Sequence, residues 1–212
     1  MTSRELIIEH AMKMFVNHGV KGVRMDDIAQ ELGVSKRTLY EMFEDKEELL
    51  YQSVKLFLDQ GCLRRAKQIE ELDNDMEIML VSLRDMISDA PTTSRIRRNI
   101  ARFYPSVFKR LEEEITAKST QNLESWIQRG IEKGYLTTTA DSSFVVKVLN
   151  NSALGIFSSE LHDSYNSVEL VSMMTYSLVI FIRGLCTPQG IEIIDGCFDK
   201  YFGNIPSPDA LQ

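Results

Sequence analysis

Residues 26–42 read Asp-Asp-Ile-Ala-Gln-Glu-Leu-Gly-Val-Ser-Lys-Arg-Thr-Leu-Tyr-Glu-Met, which parses as a short helix, a turn at Gly33 and a second short helix. This is helix-turn-helix grammar. Ala29 is small enough to let the second helix cross closely. Gly33 can take the left-handed conformation that ends the first helix, and Ser35 is placed to cap the second. Ile28, Leu32, Val34 and Leu39 are the apolar residues that seal the crossing.

At 100° per residue, Leu39, Met42 and Phe43 fall on one side of the second helix. Arg37, Thr38 and Glu41 then point away, with Lys36 and Tyr40 on the flank. Arg and Lys can read guanine edges, a Thr methyl can meet a thymine methyl, and a Tyr hydroxyl can reach phosphate or base, so this surface suits a major groove. The plain alternative for such a surface is a solvated helix face.

Downstream, residues 38–50 read Thr-Leu-Tyr-Glu-Met-Phe-Glu-Asp-Lys-Glu-Glu-Leu-Leu, and here the chain resembles the tetracycline-repressor (TetR/AcrR) family of bacterial transcriptional regulators. Tyr40, Phe43 and Lys46 carry that family's spacing, and Gly19, Ile28, Ala29, Gly33, Val34 and Ser35 also match, so the resemblance covers residues 5–50. It implies that the DNA-contacting set is Arg24, Ser35, Lys36, Arg37, Thr38, Tyr40, Glu41 and Lys46, with Lys46 opening a long helix and holding a phosphate. Two positions depart from the pattern. Met42 stands where the family often has His, and Arg24-Met25 where it has a Thr pair. Arg24 can still reach phosphate, whereas Met25 and Met42 cannot donate, so Thr2, Ser3 and Arg4 are candidates to compensate.

The rest of the chain is helical in period. Ile7, Ala11, Met14 and Phe15 fall at i, i+4, i+7 and i+8, and no stretch alternates as a strand. The pattern predicts helices at 3–18, 26–32, 36–42, 46–67, 75–89, 94–102, 106–133, 141–160 and 167–186, with a tail helix near 191–201. Prolines 91, 105, 188, 206 and 208 lie at the edges of these runs. The expected fold is all-α, with about nine to ten helices. A three-helix helix-turn-helix head at 1–46 is followed by a larger helical body at 47–212.

The helix at 167–186 is apolar around most of its circumference, which asks for burial on two sides. The family resemblance implies dimerisation through the last two long helices, here with Phe157, Met174, Leu178, Phe181 and Ile182 at a homodimer interface; the alternative is a core helix within one subunit. The resemblance also implies a small-molecule effector pocket inside the body. Candidate lining residues are Phe57, Met86, Phe103, Tyr104 and Trp126, approached from Arg98 and Arg102. Between Arg95 and Arg110 lie six bases and no acid, either an anion site or a solvated face.

Net charge is −7, and residues 1–46 hold seven bases against eight acids, so a DNA contact must come from local placement rather than bulk charge. Cys62, Cys186 and Cys197 are odd in number and far apart, which fits free thiols and neither a disulfide framework nor a zinc site. Nothing has the spacing of a catalytic set, a metal site or a cofactor loop, and no apolar run reaches membrane-spanning length. The expectation is therefore a cytoplasmic, dimeric, ligand-responsive regulator of double-stranded operator DNA, most simply a repressor, with no cofactor and no membrane partner. Two other readings are a DNA-binding protein of the same fold whose output is a protein contact, and an enzyme on a helical bundle.

Overall fold

The computed structural model describes residues 3–137, 141–156 and 165–203. Among these the chain is all-helical. In order, α1 spans Ser3–His18, α2 Met25–Leu32, α3 Lys36–Met42, α4 Lys46–Ile69, α5 Asp75–Phe103, α6 Pro105–Glu132, α7 Ser142–Ile156, α8 Ser167–Gly184 and α9 Pro188–Phe202. The sole extended pairing among the described residues is an isolated antiparallel bridge between Leu136 and Cys186.

One expected break is absent. The pattern divides 75–89 from 94–102 at Pro91, yet α5 runs through it as a single helix. A mid-helix proline removes the bond from its own nitrogen to the carbonyl four residues back and costs about 3 kcal/mol. The helix carries Ile87, Ala90, Ile96 and Ile100 into buried positions on both sides of the proline, and that burial outweighs one missing bond. Pro188 behaves as anticipated for a helix edge. It occupies the first turn of α9 behind Thr187, whose hydroxyl accepts the Gly190 N–H at 3.2 Å, so the tail helix starts earlier than its apolar period suggests.

The helices form two compact units, and both are drawn from separate stretches of chain. The first comprises residues 1–64 and 92–116, the second residues 65–91 and 117–212. The first unit is thus larger than the head expected at 1–46. Its core joins Ile7, Ala11 and Phe15 of α1, Ile28 of α2, Leu39 of α3 and Leu49 and Leu50 of α4 to Ile96 and Ile100 of α5 and Val107 and Leu111 of α6. The basic stretch at 95–110 is part of this unit and is largely engaged within it. Arg97 forks onto Glu112 at 2.9 and 2.8 Å, Arg110 bonds Glu48 at 2.7 Å and stacks 3.4 Å from the Tyr51 ring centroid, and Arg95 donates to the Val16 carbonyl at 2.9 Å. Tyr51 in turn donates to Glu114.

The core of the second unit is built from Met76, Met79, Leu80 and Leu83 of α5, Leu123 and Ile127 of α6, Val145 and Leu149 of α7, Leu170, Met174, Leu178 and Ile182 of α8, and Ile194 and Phe202 of α9. Around the bridge, the Thr137 N–H donates to Leu185 and the Thr187 N–H to Tyr135, both at 2.9 Å, so the α6–α7 and α8–α9 connections are tied together. Gly190 fits this crossing because it has no side chain: a Cβ there would lie 2.1 Å from the Tyr135 carbonyl oxygen.

The α8 residues correct the expected interface. Met174, Leu178 and Ile182 are buried in their own subunit's core, and Phe181 packs against it. An apolar circumference cannot give the phase of a helix, and the phase here turns these residues inward. Among the described residues of α7 and α8, the large apolar side chains left exposed are Ile180 and Val168 on α8 and Phe144 on α7, at 67%, 52% and 64% exposure. Phe157 lies outside the described residues.

Candidate nucleic-acid interface

Three local signals set the helix-turn-helix geometry. The Asp27 carboxylate accepts the Arg24 backbone N–H at 2.8 Å and closes the start of α2. Gly33 ends α2 with φ +64°, where a side chain would strain the backbone, and the N–H of Val34 reaches back to Ala29 at 3.0 Å. Ser35 then caps α3, its Oγ accepting the Thr38 N–H at 3.0 Å and sharing a 2.7 Å hydrogen bond with the Thr38 hydroxyl. Leu39 and Phe43 are buried beneath, so α3 is fixed in rotation with its polar residues outward.

On that outward face Lys36, Arg37, Tyr40 and Glu41 are exposed and Thr38 is half-buried. Both bases are held by carboxylates of the same unit. Lys36 Nζ lies 2.7 Å from Asp26, whose hydrogen bond and charge raise the ammonium pKa above its ordinary value. Arg37 Nε lies 2.8 Å from Glu41, one turn along. Exposed pairs of this kind are weak because water and salt screen them, so exchange for a phosphate or a base edge costs little. The Asp26 pairing spans the whole α2–α3 turn and has no signature in local spacing.

Arg24 is exposed where it precedes α2, as a phosphate contact requires. Asp45 accepts the Glu48 N–H at 2.8 Å and caps α4, which sets Lys46 at the helix start. Lys46 Nζ rests 5.2 Å from the centre of the Tyr104 ring. Arg4 sits similarly over Phe43, at 4.9 Å. Thr2 lies outside the described residues, as does the side chain of Ser3.

The residues expected to line one effector cavity are divided between the two units. Phe103 and Tyr104 belong to the first unit, at the α5–α6 junction, and Arg98 and Arg102 lie on α5 in the same unit. Phe57 lines a cleft of about 320 Å³ between α1 and α4, floored by Met12, Val16 and Leu56 and spanned by a 3.0 Å hydrogen bond from Gln60 to Glu9. Trp126 packs against the core of the second unit. Met86 lies on α5 in the second unit, at 37% exposure. Aromatic and Met content marks buried surface and says nothing about which core a residue joins.

Burial pushes the Cys186 thiol up to about 11 and raises Cys197 as well, the state of unreactive thiols. Among the described residues no group of three or more His, Cys, Asp or Glu could hold a metal ion, and no helix is long and apolar enough to cross a membrane.

Comparison with known proteins follows the same division of the chain. Residues 7–52 match the family model described as bacterial regulatory proteins, tetR family. An HTH-type transcriptional regulator of Staphylococcus aureus (strain USA300) is 34% identical over 113 residues, which cover 50% of this chain and 60% of the relative. The chain therefore spans about 60% of that relative's length, less than two thirds. Among solved structures, a transcriptional regulator from Saccharomonospora viridis in complex with choline superposes with a TM-score of 0.74 at 19% identity, covering 87% of this chain and 98% of the other. The transcriptional regulator FadR from Bacillus subtilis in complex with stearoyl-CoA gives a TM-score of 0.68 at 18% identity, covering 85% and 98%.

Proposed function

We propose that this chain, whose residues 7–52 match the model of the tetR family of bacterial regulatory proteins, is a dimeric, ligand-responsive, DNA-binding repressor in the cytoplasm. It reads operator DNA through α3 and is released by a small molecule bound in the helical body. The observation that carries the reading is the outward face of α3, where Lys36, Arg37, Thr38, Tyr40 and Glu41 stand on a helix locked by the Ser35 cap and the buried Leu39. Arg37 and Lys36 supply base contacts, while Arg24, Tyr40 and Lys46 hold phosphates on either side.

Two heads are needed because a half-site read by one short helix gives little discrimination, and a symmetric pair engages successive major grooves. The exposed apolar residues Phe144, Val168 and Ile180 support an interface formed by α7 and α8. Choline and stearoyl-CoA, held by two proteins of this fold, support a small-molecule effector without naming its class. Release is then a population shift, the effector favouring a conformation whose two heads no longer match the groove spacing.

The test is a gel-shift titration on the DNA upstream of the chain's own coding region. Sequence-specific retardation is expected, and Arg37→Ala should weaken it by about 1–3 kcal/mol with helicity intact. Equal retardation of operator and scrambled duplex would overturn the reading.

A further inference from the structure

We infer that Lys21 and Arg102 form a second DNA-backbone contact beside Lys46, which would make the α5–α6 junction part of the DNA-facing surface. The inference rests on the DNA-binding reading above and extends it to residues outside the helix-turn-helix.

Its starting point is a difference in how this unit treats its cations. Lys36, Arg37, Arg97 and Arg110 each have a carboxylate partner at 2.9 Å or less. Arg97 and Arg110 also rest on rings, whereas Lys21, Arg102 and Lys46 have the ring and, among the described residues, no carboxylate. Lys21 Nζ lies 5.0 Å and Arg102 Cζ 5.3 Å from the centre of the Phe103 ring, and Lys46 Nζ 5.2 Å from that of Tyr104. Among the described residues, none of the three has a carboxylate within ion-pairing distance. An aromatic face orients a cation without cancelling its charge, so these three keep a full positive charge for a partner.

Their placement identifies that partner. Phe103 and Tyr104 are consecutive, one ending α5 and the other linking it to α6, so the two cation-bearing rings are adjacent. Lys46 opens α4 beside α3, which puts the cluster next to the reading helix and in the same compact unit. Because both cations lie near 5 Å from one ring centre, Lys21 and Arg102 are no more than about 10 Å apart. Each strand of a duplex presents a phosphate about every 3.4 Å of axis, so both side chains can meet one backbone. Both are exposed, and both stems are long enough to swing from the ring to a phosphate. The two residues come from the α1–α2 turn and the end of α5, more than eighty positions apart, and meet only through the fold.

The salt dependence of DNA binding tests this. Wild type, Lys21→Ala/Arg102→Ala and a control, Lys109→Ala, would be titrated by fluorescence anisotropy against 40-base-pair duplexes tiled across the upstream DNA, between 50 and 200 mM KCl. Lys109 is an exposed base on α6, 3.9 Å from Glu113 and not part of the cluster. The double variant is expected to shallow the slope of log affinity against log salt by about 3.6 for a dimer with both heads engaged, since about four phosphate contacts are lost and each removes about 0.9, while the control keeps the wild-type slope. Lys21→Gln/Arg102→Gln, which keeps the stems that cover Phe103, should reproduce the change and guards against loss of folding. A wild-type slope in both double variants would overturn the inference and leave the DNA-binding reading standing. Equal shallowing by Lys109→Ala would reduce the effect to net charge and overturn it as well. Wild-type protein that binds none of the duplexes would overturn both.

Discussion

Lys36, in the first turn of α3, reaches across the helix-turn-helix to Asp26, in the first turn of α2, at 2.7 Å. The pair joins the two helices on their solvent side and neutralises one of the bases that the reading assigns to DNA.

Asp26→Asn should therefore free Lys36. Because an exposed pair contributes little, binding to duplex DNA should tighten only modestly, with the gain largest at low salt. Isothermal titration of the variant and wild type at two ionic strengths would measure it. Weaker binding would mean that Asp26 positions Lys36 for the groove instead of competing for it.

On α8, Ile180 and Leu178 stand two residues apart with opposite exposures, 67% and 3%. Ile180→Asp should give a folded monomer by sedimentation and lose tight operator binding. Leu178→Ala should lower stability by about 2–5 kcal/mol through the cavity it leaves, whatever the assembly state. A dimer that survives Ile180→Asp at micromolar concentration would move the interface elsewhere.

Gly190→Ala places a methyl group 2.1 Å from the Tyr135 carbonyl oxygen, and a backbone atom cannot step aside as a side-chain tip can. The bonds that tie the two connections must then break or shift. A loss of about 1–3 kcal/mol or more is expected in chemical denaturation, with the first unit's contribution to helicity unchanged. A midpoint equal to wild type would show that this crossing yields more easily than its geometry suggests.

Glu77 accepts from Lys200 at 2.9 Å and from the Tyr201 hydroxyl, and both bonds hold its carboxyl below the ordinary range. A carboxylate with a depressed folded pKa adds stability above its unfolded pKa, and that stability is lost as pH falls through the folded value. Glu77→Gln should thus be less stable than wild type at about pH 7, and the gap should narrow as the pH falls below the unfolded carboxylate pKa and through the lower folded value. A gap that does not change with pH would assign the loss to packing.

The reading helix was legible in the sequence because its determinants are local. Gly33, Ser35 and Leu39 act within a few residues of their own positions, and each does what its residue type allows. Pro91 misled because a proline marks a cost and not a boundary, and the apolar residues flanking it decide whether the helix continues. Leu178 and Ile180 could not be told apart by type, since both are large and aliphatic and only the helix's rotation separates them. The division of the aromatic residues between two cores was not legible for a related reason. Phe103 and Trp126 join different cores, and which core a residue joins depends on how the chain returns, with each unit assembled from two separated stretches.

The carboxylates beside Lys36 and Arg37 also bear on how this protein would search a genome. A bare basic helix is attracted to every phosphate it passes and lingers on random sequence. Here the two reading bases already hold internal counter-ions, so a stretch of backbone offers them little that Asp26 and Glu41 do not. A guanine edge offers directed, paired acceptors that a single carboxylate contact does not reproduce. On the proposed DNA-binding reading, the acids next to this face would lower the affinity for the wrong site more than for the right one, and discrimination would come from what is withheld elsewhere on the chromosome.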